Sequence, residues 1–112
     1  MKVENTQVQM RKGIIEYCIL EIISRGEVYA SDMLSELTAA KLIVVEGTLY
    51  PLLTRLKNAG LLDYNWVESS SGPPRKYYTL TPEGLSFLDQ LRVTWRELVD
   101  STSYIIMNNN KQ

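Results

Sequence analysis

Apolar residues recur at helical spacing in the first part of the chain and predict two helices there. The first covers residues 8–24 and ends at Arg25 and Gly26. The apolar positions with helical spacing in it are Ile14, Ile15, Cys18, Ile19, Ile22 and Ile23. The second begins near Ser31 and Asp32, which are both favourable N-cap residues, and ends near Ala40. The two helices precede the segment that carries the most information about function.

A third helix is predicted over residues 47–59. Its apolar positions follow the spacing of one buried face, which consists of Leu49, Leu52, Leu53 and Leu56. Pro51 fits a helix only in its first turn, because deeper inside its ring clashes with the preceding turn. We therefore expect regular helix to begin near Thr48.

Two strands and a turn follow this helix. Leu62, Tyr64 and Trp66 alternate with polar residues and predict a strand over 62–68, and a second strand is expected over 75–80. The intervening sequence SSSGPP is rich in turn-forming residues, so we expect a mobile hairpin tip. A helix followed by such a hairpin is the layout of a winged helix-turn-helix.

The last helix is predicted to start at Thr81 and Pro82, an N-cap followed by proline at the first helical position, and to run to about Met107. Its apolar positions step by three and four residues. They form a heptad seam of Leu88, Leu91, Trp95, Leu98, Thr102 and Ile105. Monomers rarely expose such a stripe, so we expect this seam to be a homodimer interface.

These elements predict a mainly α protein with a small two-stranded β wing. The fold class is a winged helix-turn-helix plus a C-terminal dimerisation helix. The DNA-binding domain would cover residues 8–80, the dimerisation helix 81–107 and a disordered tail 108–112. A two-fold dimer would hold two recognition helices about 34 Å apart, so the DNA target should be nearly palindromic.

Composition narrows the class of protein. The chain has 112 residues, one cysteine and no histidine, which argues against an internal disulfide and a cysteine-rich zinc site. No glycine-rich phosphate loop or paired-carboxylate motif stands out, so we expect no cofactor and no enzymatic activity. The apolar runs are too short to span a bilayer and the N-terminal sequence lacks a signal peptide, so we expect a cytoplasmic protein with no membrane partner.

Charge is distributed unevenly along the chain. The net charge is −1, yet residues 47–80 carry four basic and two acidic side chains and form the only third with a positive balance. This balance favours double-stranded DNA as a partner. The candidate DNA contacts are Thr48, Tyr50, Pro51, Thr54, Arg55 and Lys57 on the third helix, and Arg75 and Lys76 at the base of the flexible hairpin. Taken alone, the basic face of the helix is more often an ordinary solvated face, and the hairpin is equally well explained as a solubilising turn.

Three sequence stretches together resemble a known family. EGTLYPLLTRLKNAGLL, then PPRKYYTLTPEG, then a tryptophan in the last helix are similar to the PadR family of bacterial transcriptional regulators. The resemblance covers residues 14–106 and implies a dimeric winged-helix repressor of the short type, whose single C-terminal helix makes the dimer. By this resemblance, residues 47–51 correspond to the start of the family's recognition helix, and Arg75 and Lys76 correspond to the basic positions of its wing. Val45 departs from the family pattern, which usually has a serine or threonine there, and leaves Thr48 as a substitute cap.

Trp95 has two alternative roles. The first is packing at the dimer seam, since aromatic side chains dominate buried interfaces. The second is a ligand platform, in which two copies near the dimer axis, with Leu98 and Val99 nearby, sandwich a small aromatic effector. The resemblance implies that some family members respond to aromatic compounds. The rival to DNA binding as a whole is a winged-helix module that binds another protein.

Overall fold

The computed structural model describes residues 1–42 and 44–109 and confirms a mainly helical winged helix-turn-helix. Helix α1 (Val3–Ser24) leads into a two-residue strand β1 (Val28–Tyr29), which is followed by α2 (Ala30–Ala39) and α3 (Glu46–Asn58). A hairpin of β2 (Leu62–Ser69) and β3 (Gly72–Leu80) precedes the long helix α4 (Pro82–Asn108). The predicted disordered tail begins inside α4 at Asn108, and its residues 110–112 lie outside the described residues.

One hydrophobic core holds these elements together. Each helix and the inner end of the hairpin contribute to it, and its fully buried side chains are Ile19, Leu20, Ile23, Met33, Leu37, Leu49, Leu53, Leu56 and Leu88. Three of the four leucines predicted for the inner face of α3 are in this set, and Leu52 packs against it half-buried. The burial of this face fixes which side of α3 points outward.

The first helix begins five residues earlier than predicted. Residues 3–10 of α1 are helical but exposed, so no apolar periodicity marks them in the sequence. Helix α2 also begins earlier than predicted, because the chain passes directly from β1 into the helix with Tyr29 as N-cap residue. Asp32 lies in its first turn, where its carboxylate accepts the backbone N–H of Tyr29 at 3.4 Å.

Helix α3 begins at Glu46, two residues before the predicted start at Thr48. Val45 is the N-cap residue and makes no side-chain cap, while the N–H of Thr48 donates to the Val45 carbonyl at 2.9 Å. Thr48 is therefore inside the first turn and does not replace the missing cap. Pro51 lies inside the helix and has no N–H to donate to the carbonyl of Gly47 one turn earlier.

The sheet contains one strand that the sequence did not predict. The strand order is β1-β3-β2, and β1 adds to the two-stranded wing through the pairs Val28↔Tyr78 and Tyr29↔Tyr77. A two-residue strand is too short to show an alternating pattern in the sequence. Its effect is to attach the start of α2 to the inner end of the wing.

The hairpin tip is tighter than predicted. The strands extend to Ser69 and Gly72 and leave Ser70 and Ser71 as the turn, so SSSGPP does not form an open loop. Pro73 and Pro74 fall within β3, in a stretch that β1 does not reach. The strand register shifts there, between the pairs Val67↔Arg75 and Ser69↔Gly72, and proline is tolerated at such an irregularity of the ladder.

The start of α4 is fixed by Thr81, as predicted. The Thr81 hydroxyl accepts the N–H of Gly84 at 3.0 Å and donates to the Gly60 carbonyl at 2.7 Å, and its own N–H donates to the Leu61 carbonyl at 3.1 Å. A Cβ built on Gly84 would lie 2.1 Å from the Leu61 oxygen. This close approach locks α4 against the segment that joins α3 to β2.

The predicted dimer seam divides into two parts. Leu88 is fully buried in the core of its own chain and Leu91 packs half-buried against that core, so the assignment of Leu88 to a dimer interface is wrong. The heptad pattern could not separate a face that packs within the chain from one that packs between chains. From Trp95 onward the seam is exposed, with Leu98 at 54% and Ile105 at 63%.

A polar network joins α1 to α4 just above this exposed part. Arg92 donates to both carboxylate oxygens of Glu21 at 3.0 and 2.9 Å, and to Asp89 at 3.0 Å, while the Tyr17 hydroxyl donates to Glu21 at 2.8 Å. The hydrogen bond from Arg92, joined by that from Tyr17, holds the pKa of Glu21 below its usual value despite partial burial. The Tyr17 ring packs against Trp95, with 6.2 Å between centroids.

Among the described residues, no helix is both long enough and apolar enough to cross a membrane.

We expect Gly84→Ala to destabilise the fold by about 3 kcal/mol, because the new methyl group would overlap a backbone oxygen that cannot move independently. Urea unfolding followed by circular dichroism measures this change. The matched control is Gly13→Ala in the middle of α1, where an added Cβ has nothing within 4 Å. Replacing that glycine should raise stability by about 0.5–1 kcal/mol. Equal stability of the Gly84→Ala protein and the parent would contradict the described packing of α4 on Leu61.

Candidate nucleic-acid interface

The exposed surface of α3 has two flanks that face different neighbours. Tyr50 and Lys57 lie on the flank toward the hairpin, where the Lys57 ammonium is 5.5 Å from the centre of the Tyr64 ring. Arg55 lies on the other flank, toward α1, and Thr48 lies on the same side because it is two turns away. The eight predicted DNA contacts therefore do not form a single cluster.

Arg55 is paired with a residue that the sequence did not connect to it. Its guanidinium donates to the carboxylate of Glu16 on α1 at 2.7 Å, across 39 positions of sequence. Both side chains are partly solvated, with exposed fractions of 61% and 31%. Such an exposed ion pair contributes under about 1 kcal/mol. A phosphate that approached this flank could therefore displace Glu16.

The two wing cations lie in the middle of the hairpin arm rather than at the base of a flexible loop. Arg75 pairs across the strands with Val67, and Lys76 with Trp66. Adjacent residues in a strand point to opposite faces, and each cation accordingly lies over different rings. The Arg75 guanidinium is 5.1 Å from the centre of the Tyr29 ring.

Lys76 lies between two aromatic side chains. Its ammonium is 4.4 Å from the centre of the Tyr64 ring and 5.2 Å from that of Trp66. The rings of Tyr64 and Trp66 meet edge to face, with 6.2 Å between centroids. Cations over aromatic faces are attracted by the ring quadrupole, so these contacts hold the lysine side chain in place on the wing.

A cleft of about 400 Å³ separates the wing from the helices. Its lining combines one predicted contact of α3, both wing cations, and residues from β1 and the first turn of α2: Tyr29, Ala30, Ser31, Tyr50, Trp66, Pro74, Arg75, Lys76 and Tyr78. Two of these side chains are cationic and none is a carboxylate. The cleft therefore provides a positively charged, aromatic-walled surface of the kind that accepts an anion with an apolar body.

A second, smaller cavity of about 250 Å³ adjoins this cleft and shares Lys76 and Tyr78 with it. Thr54 and Lys57 of α3 line it, so these two predicted contacts lie near the wing. Pro51 is exposed on the outer face of α3 between the two flanks. The structure thus brings Tyr50, Thr54, Lys57 and the wing cations onto one surface, and leaves Thr48 and Arg55 on another.

The sequence reasoning missed several residues of the cleft. Tyr29 and Ser31 enter it only because β1 pairs with β3, and Tyr29 then stacks on Tyr77 with 3.7 Å between ring centroids. The sequence predicted Trp66 as a strand residue and not as a site residue. A large aromatic residue at the end of an alternating strand could have indicated it as a site residue. Among the described residues, no group of three or more His, Cys, Asp or Glu side chains could hold a metal ion.

Comparison with known proteins agrees with this architecture. Residues 19–90 match the model of the transcriptional regulator PadR-like family. The X-ray structure of a PadR-like transcription factor from Bacteroides fragilis is 57% identical and superposes with a TM-score of 0.75, over 90% of this chain and 98% of that one. A PadR family transcriptional regulator from Eggerthella lenta is 31% identical, with a TM-score of 0.84 over 93% and 91% of the two chains.

A third structure is that of Bacillus subtilis PadR in complex with operator DNA. It is 23% identical to this chain, with a TM-score of 0.66 over 71% of this chain and 47% of that one. This match shows a similar fold. The family match extends over more than half of the sequence and includes α2, α3, the wing and the first part of α4. This chain belongs to the PadR-like family of transcriptional regulators.

Proposed function

We propose that this protein is a sequence-specific DNA-binding repressor that acts as a homodimer on a nearly palindromic operator. The observation that carries the proposal is the cleft between α3 and the wing, whose lining includes Arg75 and Lys76 and no carboxylate. The operator DNA bound by Bacillus subtilis PadR, a protein of the same fold, supports duplex DNA as the ligand.

In this proposal α3 enters a major groove, while the wing contacts the flanking backbone. Tyr50, Pro51 and Thr54 present side chains toward base edges and sugars, and Lys57, Arg75 and Lys76 neutralise phosphates. Arg55 and Thr48 contact the strand on the other side of the groove. Arg55 would leave Glu16 for a phosphate or a guanine edge, which is feasible because its ion pair is exposed.

The test of DNA binding uses a labelled duplex from upstream of the protein's own gene, with scrambled duplex as competitor, at two salt concentrations. We expect binding that survives the competitor and weakens with salt, because neutralised phosphates release counterions. Binding without preference over scrambled DNA would contradict sequence specificity. Absence of binding even at low salt would favour the rival function, a protein-interaction module.

Variants then assign the contacts. Replacing Arg75 and Lys76 together by alanine should flatten the salt dependence by about two units of slope, since two phosphate contacts are lost. The charge-matched control replaces Lys12 and Arg96, which lie on α1 and α4 outside the cleft.

Arg55→Ala should weaken specific DNA binding by about 1–3 kcal/mol if Arg55 reads a guanine. If Arg55 contacts a phosphate instead, the substitution should weaken binding to all DNA sequences alike.

The dimer is proposed from the apolar surface that α4 leaves exposed. Beyond the core, Trp95, Leu98, Thr102 and Ile105 continue the heptad seam, and Val99, Ile106 and Met107 are exposed beside it. A second copy of the chain would bury this stripe, since soluble monomers rarely expose one of such length. The two-fold axis would then relate the two copies of α3.

We expect Leu98→Glu to convert a dimer of the 12.8 kDa chain into a monomer, because a carboxylate would be buried in an apolar seam. Sedimentation velocity measures the change in mass. The matched control is Val93→Glu, since Val93 is similarly exposed but lies about 140° around the same helix. A parent protein that sediments as a monomer, or two variants that behave alike, would contradict the proposed seam.

A small aromatic effector is proposed to bind where two copies of Trp95 approach the dimer axis, beside Leu98 and Val99. Trp95 is 40% exposed in the single chain, and the Tyr17 ring packs against it with 6.2 Å between centroids. The effector would release DNA only if it bound one arrangement of the two DNA-binding units better than the other.

In a Trp66→Phe protein, Trp95 is the sole tryptophan and reports on this site. We expect flat two- and three-ring aromatic compounds to quench its emission in a saturable manner and to weaken DNA binding at the same concentrations. The control is the same titration of a protein that also carries Leu98→Glu, in which the dimer seam is broken. Emission that no compound alters would remove Trp95 as an effector site.

A further inference from the structure

Trp66 is the largest apolar side chain that the winged-helix unit leaves exposed, and its position in the hairpin explains why. On the face that carries it, the cross-strand pairs run outward from Leu62↔Leu80 through Tyr64↔Tyr78 to Trp66↔Lys76. Leu62 and Tyr78 are buried in the core, whereas Trp66 is 62% exposed. The face that anchors the wing therefore continues beyond the core and ends in an indole.

The indole is held in a defined orientation. Tyr64 meets it edge to face, and the ammonium of Lys76 lies 5.2 Å from its ring centre and 4.4 Å from that of Tyr64. A cation and a flat apolar surface are thus presented side by side. An exposed tryptophan with such fixed neighbours loses little conformational freedom when a ligand covers it.

The surroundings of Trp66 indicate the chemistry of that ligand. Trp66 lines the same cleft as Tyr50, Ser31, Arg75 and Lys76, where no carboxylate occurs. Trp66 and Pro74 also border a neighbouring surface that includes Glu68, whose side chain does not line the cleft. A ligand that enters from the cleft meets an aromatic face and two cations. The deoxyribose-phosphate backbone has the matching features, an apolar sugar beside an anionic phosphate.

We propose that Trp66 is a DNA-contact residue of the wing, whose indole packs on a deoxyribose while Lys76 pairs with the adjacent phosphate. This inference rests on the proposed DNA binding. It adds an apolar contact with the DNA backbone to the polar contacts already assigned. The contribution of this apolar contact to affinity does not depend on salt concentration. Because sugars and phosphates are the same in every sequence, Trp66 contributes to affinity without choosing the operator.

The first experiment uses Trp95→Phe protein, in which Trp66 is the only tryptophan. Its emission is recorded during titration with the upstream duplex, while the anisotropy of a far-red label on the DNA reports binding independently. We expect the Trp66 emission to change in parallel with the anisotropy, and to change similarly with scrambled duplex at low salt. Saturated anisotropy with unaltered emission would overturn the contact and leave DNA binding intact.

The second experiment compares affinities within the same Trp95→Phe background. Trp66→Ala should weaken DNA binding about tenfold and leave the slope of the salt dependence unchanged, because the lost contact is apolar. Trp66→Phe should recover part of this loss. The control is Asn65→Ala, which replaces an exposed residue on the opposite face of β2. Unaltered affinity of the Trp66→Ala protein would overturn the proposal.

The remaining outcomes are also decisive. Circular dichroism identifies any loss of fold in the alanine variant, in which case the phenylalanine variant and the emission titration decide. If the parent protein, which retains both tryptophans, also shows no DNA binding by the label, the proposed function and this inference fail together. If a polyglutamate peptide alters the Trp66 emission and DNA does not, the cleft binds an acidic protein segment instead.

Discussion

The pairing of β3 with a strand on each side is the constraint on which the rest of the molecule depends. At its inner end β3 joins β1 and β2 and buries Tyr78 in the core. Its outer end pairs with β2 alone and carries the wing cations, of which Arg75 is exposed and Lys76 half-buried. Because side chains alternate along a strand, anchoring Tyr78 inward determines that Lys76 shares its face and that Arg75 lies on the other. One register thus sets both the core and the charged surface.

The packing of α3 explains why the candidate interface has two parts. The leucine face of α3 is buried, so the helix can present only its remaining sides, one toward the wing and one toward α1. Tyr50 and Lys57 join the aromatic and basic surface of the hairpin, whereas Arg55 joins Glu16. Most cations near α3 are therefore already placed against aromatic rings or a carboxylate. A DNA ligand would meet side chains whose positions are largely fixed before binding, which lowers the cost of ordering them.

The junction of α1 and α4 links this surface to the proposed dimer seam. Gly84 allows α4 to approach Leu61, which lies between α3 and β2. One turn before Trp95, Arg92 of α4 donates hydrogen bonds to Glu21 of α1. Tyr17 contacts both Glu21 and Trp95. A change at Trp95 would therefore act on side chains that join α4 to α1. In the proposed dimer, these contacts would connect the proposed effector site to the spacing of the two α3 helices.

The sequence by itself determined the features that depend on neighbouring residues. The leucine repeat predicted α3, the alternation of apolar and polar residues predicted β2, and Thr81-Pro82 predicted the start of α4. Each of these patterns lies within a few positions of sequence. The structure contains all three elements. The motifs of α3 and the wing also sufficed to identify the family. Local periodicity indicates that a face is buried, but it cannot say against what, and this is why Leu88 was assigned to the wrong partner.

Only the tertiary structure decided the contacts between distant segments. The Arg55–Glu16 pair spans 39 positions and the Arg92–Glu21 pair spans 71, and neither carboxylate differs in the sequence from an ordinary solvated residue. The strand β1 exists because β3 lies beside it, and the cleft exists because β1 brings Tyr29 and Ser31 to the wing. Such features arise from the packing of complete elements, which no short stretch of sequence encodes.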